Sequence, residues 1–562
     1  MTSLCSNAPD ADVAGAITII DNADASHAAE LHALRKRANH PLYACGRAYL
    51  TNLTMWRDHF LNHKSSTKGK GNVESRTRTA CSTIMQSRQN ATPSSSSSTR
   101  IIDAQDKMVA PGFIDVHTHI EGDEKKDPEA KSFIYDGVTT CITGNCGLSQ
   151  VDVNRYYNFI DSLRMSINVT MLIGHNDIRR AVMGRANRDA TDQEQLQMEQ
   201  LVEKAMRDGA VGLSTGLIYI PGTFSKTPEI IGLAKKAAAF GGVYATHMRD
   251  EGDSVTQAIE EALTIGRKAA IPVQLSHFKL SGQQNWGRSK TTIAMVEKAR
   301  GQGMDVTIDQ YPYTASSTSI NTLIPDEILA DGQDSIRARL KRPEIRKYVT
   351  ESIQKRLKKR GLKHLSYAVV ASFGPDTTFN GKSIEAINLQ LGNRHRVKEE
   401  AAVVMDIVSR GGAGAVFHGM GEEDVTRIMR YPFNMIASDA GIRVLNAGVP
   451  HPRGYGTNAR VLGRYVREKK VMELEEAIRR MTSLPAQKFQ LHDRGLLQPG
   501  MAADIVIFDE QKVLDLSSFE KPHAYSIGFE YVIVNGKVTV DQQKHNGTRA
   551  GKILYGSGKL KS

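Results

Sequence analysis

The sequence predicts an α/β protein whose main part is a TIM-like (β/α)8 barrel, with a small β domain built from both flanks and an insertion before the last strand. From residue 101 onward, short apolar runs typical of strands alternate with amphipathic helical stretches, the pattern of a parallel α/β domain. Eight such strand segments can be counted, and eight βα units favour a closed barrel over an open sheet. After Arg494 the pattern changes to short alternating strands separated by turn residues.

The predicted barrel strands are short runs rich in apolar and β-branched residues. They cover residues 113–119, 138–144, 169–175, 210–216, 242–248, 272–278, 304–313 and 433–439. Helical periodicity separates most of them, at residues 193–207, 228–240, 255–269 and 290–301. The catalytic barrel is therefore expected to occupy residues 113–489. The long gap before the eighth strand predicts an insertion at about residues 325–425, over the barrel mouth.

The small β domain is predicted from residues 100–112 and 490–545. Its second part contains strand-like runs at 503–508 and 531–537, and the Asn535-Gly536 pair is typical of a hairpin turn. Residues 546–562 are expected to form a tail. Residues 1–99 end in a serine run and include a Ser/Thr/Lys/Gly-rich stretch, so they bury too little apolar surface to fold and are predicted to be disordered.

Composition argues against several classes of protein. Hydrophobic residues make up 40% of the chain, and no run approaches the ~20 apolar residues that a membrane span requires. The net charge of +12 comes from Lys and Arg interleaved with Asp and Glu, and no nucleic-acid-binding motif accompanies it. Five cysteines are too few for a disulfide framework, and no signal peptide is evident. A cytoplasmic location is the default expectation, without nucleic-acid or membrane partners.

Side chains that bind metals stand at the ends of five predicted strands. They are His117 and His119 at the first strand, Cys146 after the second, His247 and His277 at the fifth and sixth, and Asp439 at the eighth. Active sites of such barrels lie at the C-terminal ends of the strands, so these side chains are expected to converge. Imidazole, thiolate and carboxylate are the ligands that zinc prefers, and an open coordination position would make the site catalytic.

Each of these residues has a structural alternative when taken singly. A histidine at a strand end is often a hydrogen-bonded structural residue, a lone cysteine is usually a small core hydrophobe, and Asp439 could cap a helix. Agreement at five strand ends favours the metal site. His175, at the end of the third strand, is a candidate for a group behind the ligands or for a purely structural residue, and His418 is predicted to be structural.

Several motifs resemble those of the D-aminoacylase (N-acyl-D-amino-acid deacylase) family within the amidohydrolase superfamily. The segment from Ala110 to His119, APGFIDVHTH, is similar to the opening strand of the superfamily. GVTT at 137–140 and TGNCG at 143–147 resemble the D-aminoacylase branch, where a cysteine replaces a carboxylated lysine. Further similar motifs are THMRDEG at 246–252, SHFK at 276–279, YPY at 311–313 and HPR at 451–453, and the resemblance covers about residues 100–541.

The resemblance implies a metal-dependent hydrolase that cleaves the amide bond of small-molecule N-acyl-D-amino acids into a carboxylate and a free D-amino acid. Cys146, His247 and His277 would hold one tightly bound Zn²⁺, while His117 and His119, sharing Cys146, would form a second, weaker site. Asp439 would be the general acid/base. The positions that match the family's substrate pocket are Lys279, Tyr219, Tyr311, Ser317 and Arg453.

Two other functions remain open at this point. A related barrel hydrolase could act on another linear or cyclic amide, such as a β-aspartyl dipeptide or a hydantoin, although Cys146 in place of a lysine argues against the hydantoin type. The chain could also be an inactive barrel scaffold. The presence of all the metal-ligand residues argues against that alternative.

Overall fold

The computed structural model describes residues 17–20 and 100–559. Ile17–Ile20 and residues 100–106 belong to one unit, and a second unit begins at Lys107. In the first unit, strand β1 (Ile17–Ile20) pairs in parallel with β2 (Arg100–Asp103). Disorder is predicted for residues 1–99; of these, only β1 is among the described residues, and the rest lie outside them. Within the described ranges, none of the helices combines the length and hydrophobicity needed to cross a lipid bilayer.

The second unit alternates strands and helices along most of its length. Its strands are β3 (Met108–Pro111), β4 (Phe113–Asp115), β5 (Val138–Thr143), β6 (Asn168–Met171), β7 (Ile173–Gly174), β8 (Gly212–Gly216), β9 (Val243–His247), β10 (Val273–Leu275), β11 (Val306–Gln310), β12 (Ala315–Ser319), β13 (Ala368–Ser372), β14 (Gly414–His418), β15 (Asn434–Ile436), β16 (Ile505–Phe508), β17 (Phe529–Val534), β18 (Lys537–Asp541) and β19 (Lys544–His545).

Helices connect most of these strands. They are α1 (Lys131–Ile134), α2 (Val153–Leu163), α3 (His175–Met183), α4 (Asp192–Asp208), α5 (Thr227–Ala238), α6 (Val255–Ala269), α7 (Ser289–Gly301), α8 (Gln333–Lys341), α9 (Pro343–Lys359), α10 (Ile384–Gln390), α11 (Val397–Ser409), α12 (Glu422–Met429), α13 (Arg453–Arg460), α14 (Leu474–Met481) and α15 (Ser483–Lys488). A π-helical stretch, Val461–Glu468, follows α13. Local signals fix some boundaries: α4 begins at a capping box in which Thr191 and Glu194 exchange side-chain hydrogen bonds with each other's backbone.

The central strands form two parallel sheets, β4-β5-β6 and β7-β8-β9-β10-β11-β15. Every residue of these strands is buried, as expected for parallel strands covered by helices. The parallel α/β architecture of the TIM-barrel type predicted from the sequence is therefore confirmed. The finer prediction of one continuous closed sheet is not confirmed. Strands β6 and β7, which Leu172 separates in the chain, belong to two different sheets.

An antiparallel sheet, β19-β18-β17-β16-β3, combines the two flanks of the central unit. Its strand from the first flank is β3, in which Met108 pairs with Phe508 of β16. Asn535 and Gly536, at φ angles of 48° and 78°, form the turn between β17 and β18. Both residues have the positive φ that a tight hairpin turn of this kind requires, so the hairpin predicted at Asn-Gly is present.

A third sheet, β12-β14-β13, and helices α8 to α11 lie between β11 and α12 in the chain. They enclose a hydrophobic core of their own, which includes Ile336, Val349, Ile353, Leu365, Val404 and Ile407. This insertion is thus a separately packed layer rather than an irregular loop. Strand β12 begins a few residues after β11 ends, so the insertion starts beside the C-terminal ends of the parallel strands.

Residues 551–556, within the predicted tail, run along the starts of two central strands. The backbone N–H of Val169 in β6 donates to the carbonyl of Lys552 at 3.0 Å, and Leu554 donates back to Val169 at 2.9 Å. Gly556 donates to the carbonyl of Gly209, just before β8, at 2.8 Å. This segment therefore lies at the opposite end of the strands from the predicted metal ligands.

Candidate active site and metal centre

Cys146 occupies a tight turn that follows β5. Its own φ is 52°, and the φ of Gly144 is 76°. A Cβ on Gly144 would lie 2.0 Å from the carbonyl oxygen of Leu172, so only glycine fits where the turn passes β6. This close approach sets the position from which the Cys146 side chain projects.

The thiol of Cys146 lies among three imidazoles. Its Sγ is 3.3 Å from Nε2 of His117, 3.6 Å from Nδ1 of His247 and 3.5 Å from Nε2 of His277. Zinc–sulfur and zinc–nitrogen bonds of about 2.3 and 2.0–2.1 Å, in tetrahedral geometry, separate S and N ligands by about 3.5 Å. The Cys146 separations fit a shared zinc, whereas the nitrogens of His247 and His277 are 2.8 Å apart and would have to widen to about 3.3 Å.

His119 and Asp439 extend this group on one side. Oδ1 of Asp439 is 3.2 Å from Nε2 of His119 and 3.5 Å from Nε2 of His117. Two sets of donor atoms result, in each of which all atoms lie within 4.8 Å of one another: His117, His119, Cys146 and Asp439, and Cys146, His247 and His277. The structure thus brings together all six side chains that the sequence predicted to converge.

The pKa of each of the two potential anions, Cys146 and Asp439, lies below its ordinary value. Burial raises the pKa of the Cys146 thiol, but the charges and hydrogen bonds of His117, His119 and His247 outweigh it and hold that pKa well below its usual range. Burial likewise opposes ionisation of Asp439, while Arg453, His117 and His277 hold its pKa well below the ordinary value. A thiolate and a carboxylate are the protonation states that a divalent cation requires.

Two carboxylates behind the ligands were missed by the sequence reasoning. Oδ1 of Asp309, on β11, is 3.3 Å from Nδ1 of His117. Oε1 of Glu251 is 2.8 Å from Nδ1 of His277, and its Oε2 is 3.6 Å from Nε2 of His247. Each of the three histidines around Cys146 therefore turns one nitrogen to the sulfur and the other toward a carboxylate, the arrangement that orients metal-binding imidazoles.

A signal for both carboxylates was present in the sequence. Asp309 is an acidic residue inside an otherwise uncharged buried strand. Glu251 follows His247 within the THMRDEG motif at residues 246–252. An acid buried in a parallel strand needs a partner, because an isolated buried charge is costly. That rule could have selected Asp309 as a functional candidate.

A cavity of about 560 Å³ opens beside the metal-ligand residues. Its wall includes four of the five predicted pocket residues together with three of the predicted ligand or catalytic residues: Lys279, Tyr219, Tyr311, Ser317, His247, His277 and Asp439. The insertion also contributes several cations to the lining, among them Lys355, Arg356, Lys359 and Arg360. Arg249 and Asp250 also line the cavity.

The individual pocket residues differ in how they are held. Tyr219 pairs its hydroxyl with Thr318 Oγ1 at 2.9 Å, whereas the buried hydroxyl of Tyr311 has no hydrogen-bond partner within the described part of the chain. Nζ of Lys279 is 2.6 Å from Oε1 of Glu251. Arg453 reaches the site through Asp439, with Nη1 2.8 Å from Oδ2.

The remaining two histidines considered from the sequence lie apart from the ligands. Nε2 of His175, at the start of α3, is 2.8 Å from Oε1 of Glu229, and Glu229 also binds Arg179. The ring of His418, at the end of β14, packs edge-on against Phe519. The contacts of both residues are with groups other than the candidate ligands.

Parallel strands whose ends present histidines, a cysteine and an aspartate around one cavity define a metal-dependent hydrolase of the TIM-barrel type. The sequence profile of the Amidohydrolase family matches residues 100–540, and the chain belongs to that family.

Its relatives include the D-aminoacylase of Alcaligenes xylosoxydans xylosoxydans, 34% identical over 476 residues, which span 81% of this chain and 88% of the relative. The N-acyl-D-glutamate deacylase of the same organism is 35% identical over 481 residues, again 81% of this chain and 88% of the relative.

Solved structures agree with these relatives. The N-acyl-D-glutamate deacylase of Bordetella bronchiseptica, crystallised with zinc and a phosphonate that mimics the tetrahedral intermediate, superposes with a TM-score of 0.69 at 34% identity. The match covers 81% of this chain and 90% of that one. A D-aminoacylase studied for its binuclear metal centre gives a TM-score of 0.67 at 34% identity, covering 82% and 92% of the two chains.

Proposed function

We propose that this protein hydrolyses the amide bond of N-acyl-D-amino acids and releases a carboxylate and a free D-amino acid. The observation that carries the proposal is the Cys146 sulfur, which has an imidazole nitrogen of each of three histidines within 3.6 Å, next to Asp439, which lines the adjacent cavity. The names of the similar proteins supply the class of substrate.

The residues present fit a zinc centre. In this proposal Cys146, His247 and His277 hold the tightly bound ion, and His117 and His119, sharing Cys146, form a second, weaker site. The orientation of two of the rings supports it. His117 Nδ1 and His247 Nε2 lie 3.3 Å and 3.6 Å from the carboxylates of Asp309 and Glu251, and the other nitrogen of each ring is turned toward the Cys146 sulfur. A zinc ion held there supplies Lewis-acid polarisation of the amide carbonyl and acidification of a water molecule.

Asp439 is the proton carrier in this proposal. Its carboxyl group lines the cavity and its pKa is held below the ordinary value, which favours the carboxylate form that can accept a proton from the attacking water and later deliver it to the leaving nitrogen. Its Oδ1 faces His117 and His119 while Oδ2 is held by Arg453, which fixes the orientation of the group. General acid and base catalysis of this kind contributes about 10²- to 10⁴-fold to a rate.

Cations around the cavity favour an anionic substrate. Lys279 lines the cavity and Arg453 contacts its wall through Asp439; each is paired with a buried carboxylate, Glu251 or Asp439 respectively. The substrate carboxylate would join these pairs, and a guanidinium can bind it with two parallel hydrogen bonds. The cations of α9 in the cavity lining would attract the same charge over a longer range. Tyr219, Tyr311 and Ser317 are proposed to contact the remainder of the substrate.

We also propose that the two parallel sheets act as one closed barrel. The backbone N–H of Val211, just before β8, donates to the carbonyl of Met171 in β6 at 2.9 Å. At the other junction, Asp439 donates to the carbonyl of His117 at 2.8 Å, and His119 donates to the carbonyl of Ala440 at 2.9 Å. These bonds connect the two sheets to each other, and the second pair does so through residues of the candidate site.

The test is hydrolysis of paired N-acetyl-D- and N-acetyl-L-amino acids with methionine, leucine and glutamate side chains. Zinc-loaded protein should release only the D-amino acids, and Cys146→Ala should abolish the release together with zinc binding. Cys141→Ala is the matched control, because Cys141 is also a buried free cysteine but lies on β5 outside both donor sets. Absence of turnover of both enantiomers by folded, zinc-containing protein would contradict the proposed reaction.

A further inference from the structure

The insertion contains a second cluster of metal-ligand side chains. Its members are His364, Glu385, His395 and Glu400, and one donor atom of each lies within 4.8 Å of those of the others. None of the four lines the cavity described above or belongs to the sets around Cys146. The cluster is therefore a separate feature of the molecule.

Three segments of the insertion bring these residues together. His364 precedes β13, Glu385 lies in the first turn of α10, and Glu400 lies in the first turn of α11. His395 belongs to the short connection between α10 and α11. If all four side chains were bound to one ion, that ion would link helices α10 and α11 to the segment that precedes β13.

The two histidines are arranged as a pair of parallel donors. Their rings stack with centroids 3.8 Å apart and an angle of 18° between the ring planes. Nδ1 of His364 is 2.5 Å from Oε1 of Glu400, and Nε2 of His395 is 2.6 Å from Oε1 of Glu385. Each histidine thus turns one ring nitrogen toward a carboxylate oxygen of the cluster.

Burial gives the cluster one fixed and three adjustable members. Glu400 is fully buried, and its second oxygen accepts the backbone N–H of Leu365 at 2.7 Å. The solvent-accessible fractions of the His364, Glu385 and His395 side chains are 24%, 23% and 49%. An ion can reach the site from solvent, and the exposed side chains can move outward to the ligand separation of about 3.3 Å that bonds of 2.0–2.1 Å require.

We propose that His364, Glu385, His395 and Glu400 bind a divalent transition-metal ion as a structural site of the insertion. Two imidazole nitrogens and two carboxylate oxygens match zinc, which accepts both ligand types in a closed tetrahedral site. The ion would replace the two histidine–glutamate contacts by four bonds to one centre. It would thereby fix the layer that supports the wall of the cavity.

The test counts bound zinc in the full-length protein after dialysis against a zinc buffer. The wild type should hold one ion more per chain than His395→Gln or Glu385→Gln, both of which replace partly exposed residues with neutral ones of similar size. His492→Gln removes an exposed histidine elsewhere and should bind as many ions as the wild type. Equal zinc content in the wild type and both cluster variants would overturn the proposal, leaving two separate ion pairs.

A cobalt titration of Cys146→Ala separates this site from the centre at Cys146. Cobalt bound by the cluster should give visible ligand-field bands without a thiolate-to-cobalt band, and His395→Gln added to Cys146→Ala should remove those bands. Their persistence in the double variant would place the ion elsewhere. Because neither readout uses turnover, failure of the proposed deacylase activity would leave the result interpretable.

Discussion

Asp309 Oδ1 lies 3.3 Å from Nδ1 of His117, on the side of the ring that faces away from the Cys146 sulfur. The same oxygen accepts the backbone N–H of His277 at 2.7 Å. One carboxylate on β11 therefore positions residues of two other strands, and it links the first candidate metal site to the second.

Replacing Asp309 with Asn should weaken metal binding without removing a ligand. The amide is neutral and loses the charge that aligns the His117 ring, and changes of this kind cost about 10- to 100-fold in metal affinity or activity. Zinc release to a competing chelator, measured beside kcat, checks the expectation. Asp334→Asn, at an exposed position on α8, should leave both quantities unchanged. Zinc release from Asp309→Asn at the wild-type rate would rule out this positioning role.

Replacing Arg453 with Met should move the acid limb of the pH–rate profile to higher pH. Burial raises the pKa of Asp439, and Arg453 is the leading charge that opposes it, so its removal raises that pKa. A base that must be ionised then loses activity as the pH falls through the higher value. Loss of a charge-assisted hydrogen bond to substrate should also raise KM about ten- to hundredfold. Arg453→Lys, which keeps the charge, should shift the limb less, and an unchanged limb in both variants would refute the coupling.

Gly144→Ala should destabilise the protein and weaken zinc binding together. A non-glycine residue with left-handed backbone costs about 1–2 kcal/mol, and the new Cβ would in addition meet the Leu172 carbonyl at 2.0 Å. The turn must shift, and Cys146 shifts with it. Gly303→Ala is the control, since its φ is also positive at 89° but its Cβ would meet nothing within 4 Å. Equal losses of thermal stability in the two variants would show that the close approach to Leu172 is unimportant.

Lys488→Met should flatten the dependence of stability on alkaline pH. Lys488 is almost fully buried, and burial lowers its pKa to about 8, despite the nearby Asp305. Between about pH 8 and pH 10.5 the unfolded chain retains a proton that the folded protein has lost, so stability rises with pH by at most about 3 kcal/mol. The variant lacks this contribution. The measurement is the melting temperature of the wild type and of Lys488→Met across that pH range, with Lys512→Met, at an exposed position, as the control. Parallel curves of melting temperature against pH for the wild type and Lys488→Met would contradict this role of Lys488.

The strand ends were the most predictable part of the molecule. Alternation of apolar runs and helices located the central strands, and the side chains at their ends identified all six residues that meet around Cys146. The pairing of Arg453 with Asp439 could not be read in the same way, because it depends on how α13 meets the strand ends. The cluster in the insertion was also missed, since His364 and Glu400 are far apart in sequence and form no local motif.

The contacts of residues 551–556 with β6 and the residue before β8 bear on how the chain acquires its structure during synthesis. The amide of Val169 and the carbonyl of Gly209 find these partners only after residues 552–556, which lie far downstream in the sequence, have left the ribosome. Until then, the entrance to two central strands has backbone groups that water must satisfy. Docking of this segment is therefore a late step in the maturation of this protein, and it acts at the end of the strands remote from the chemistry.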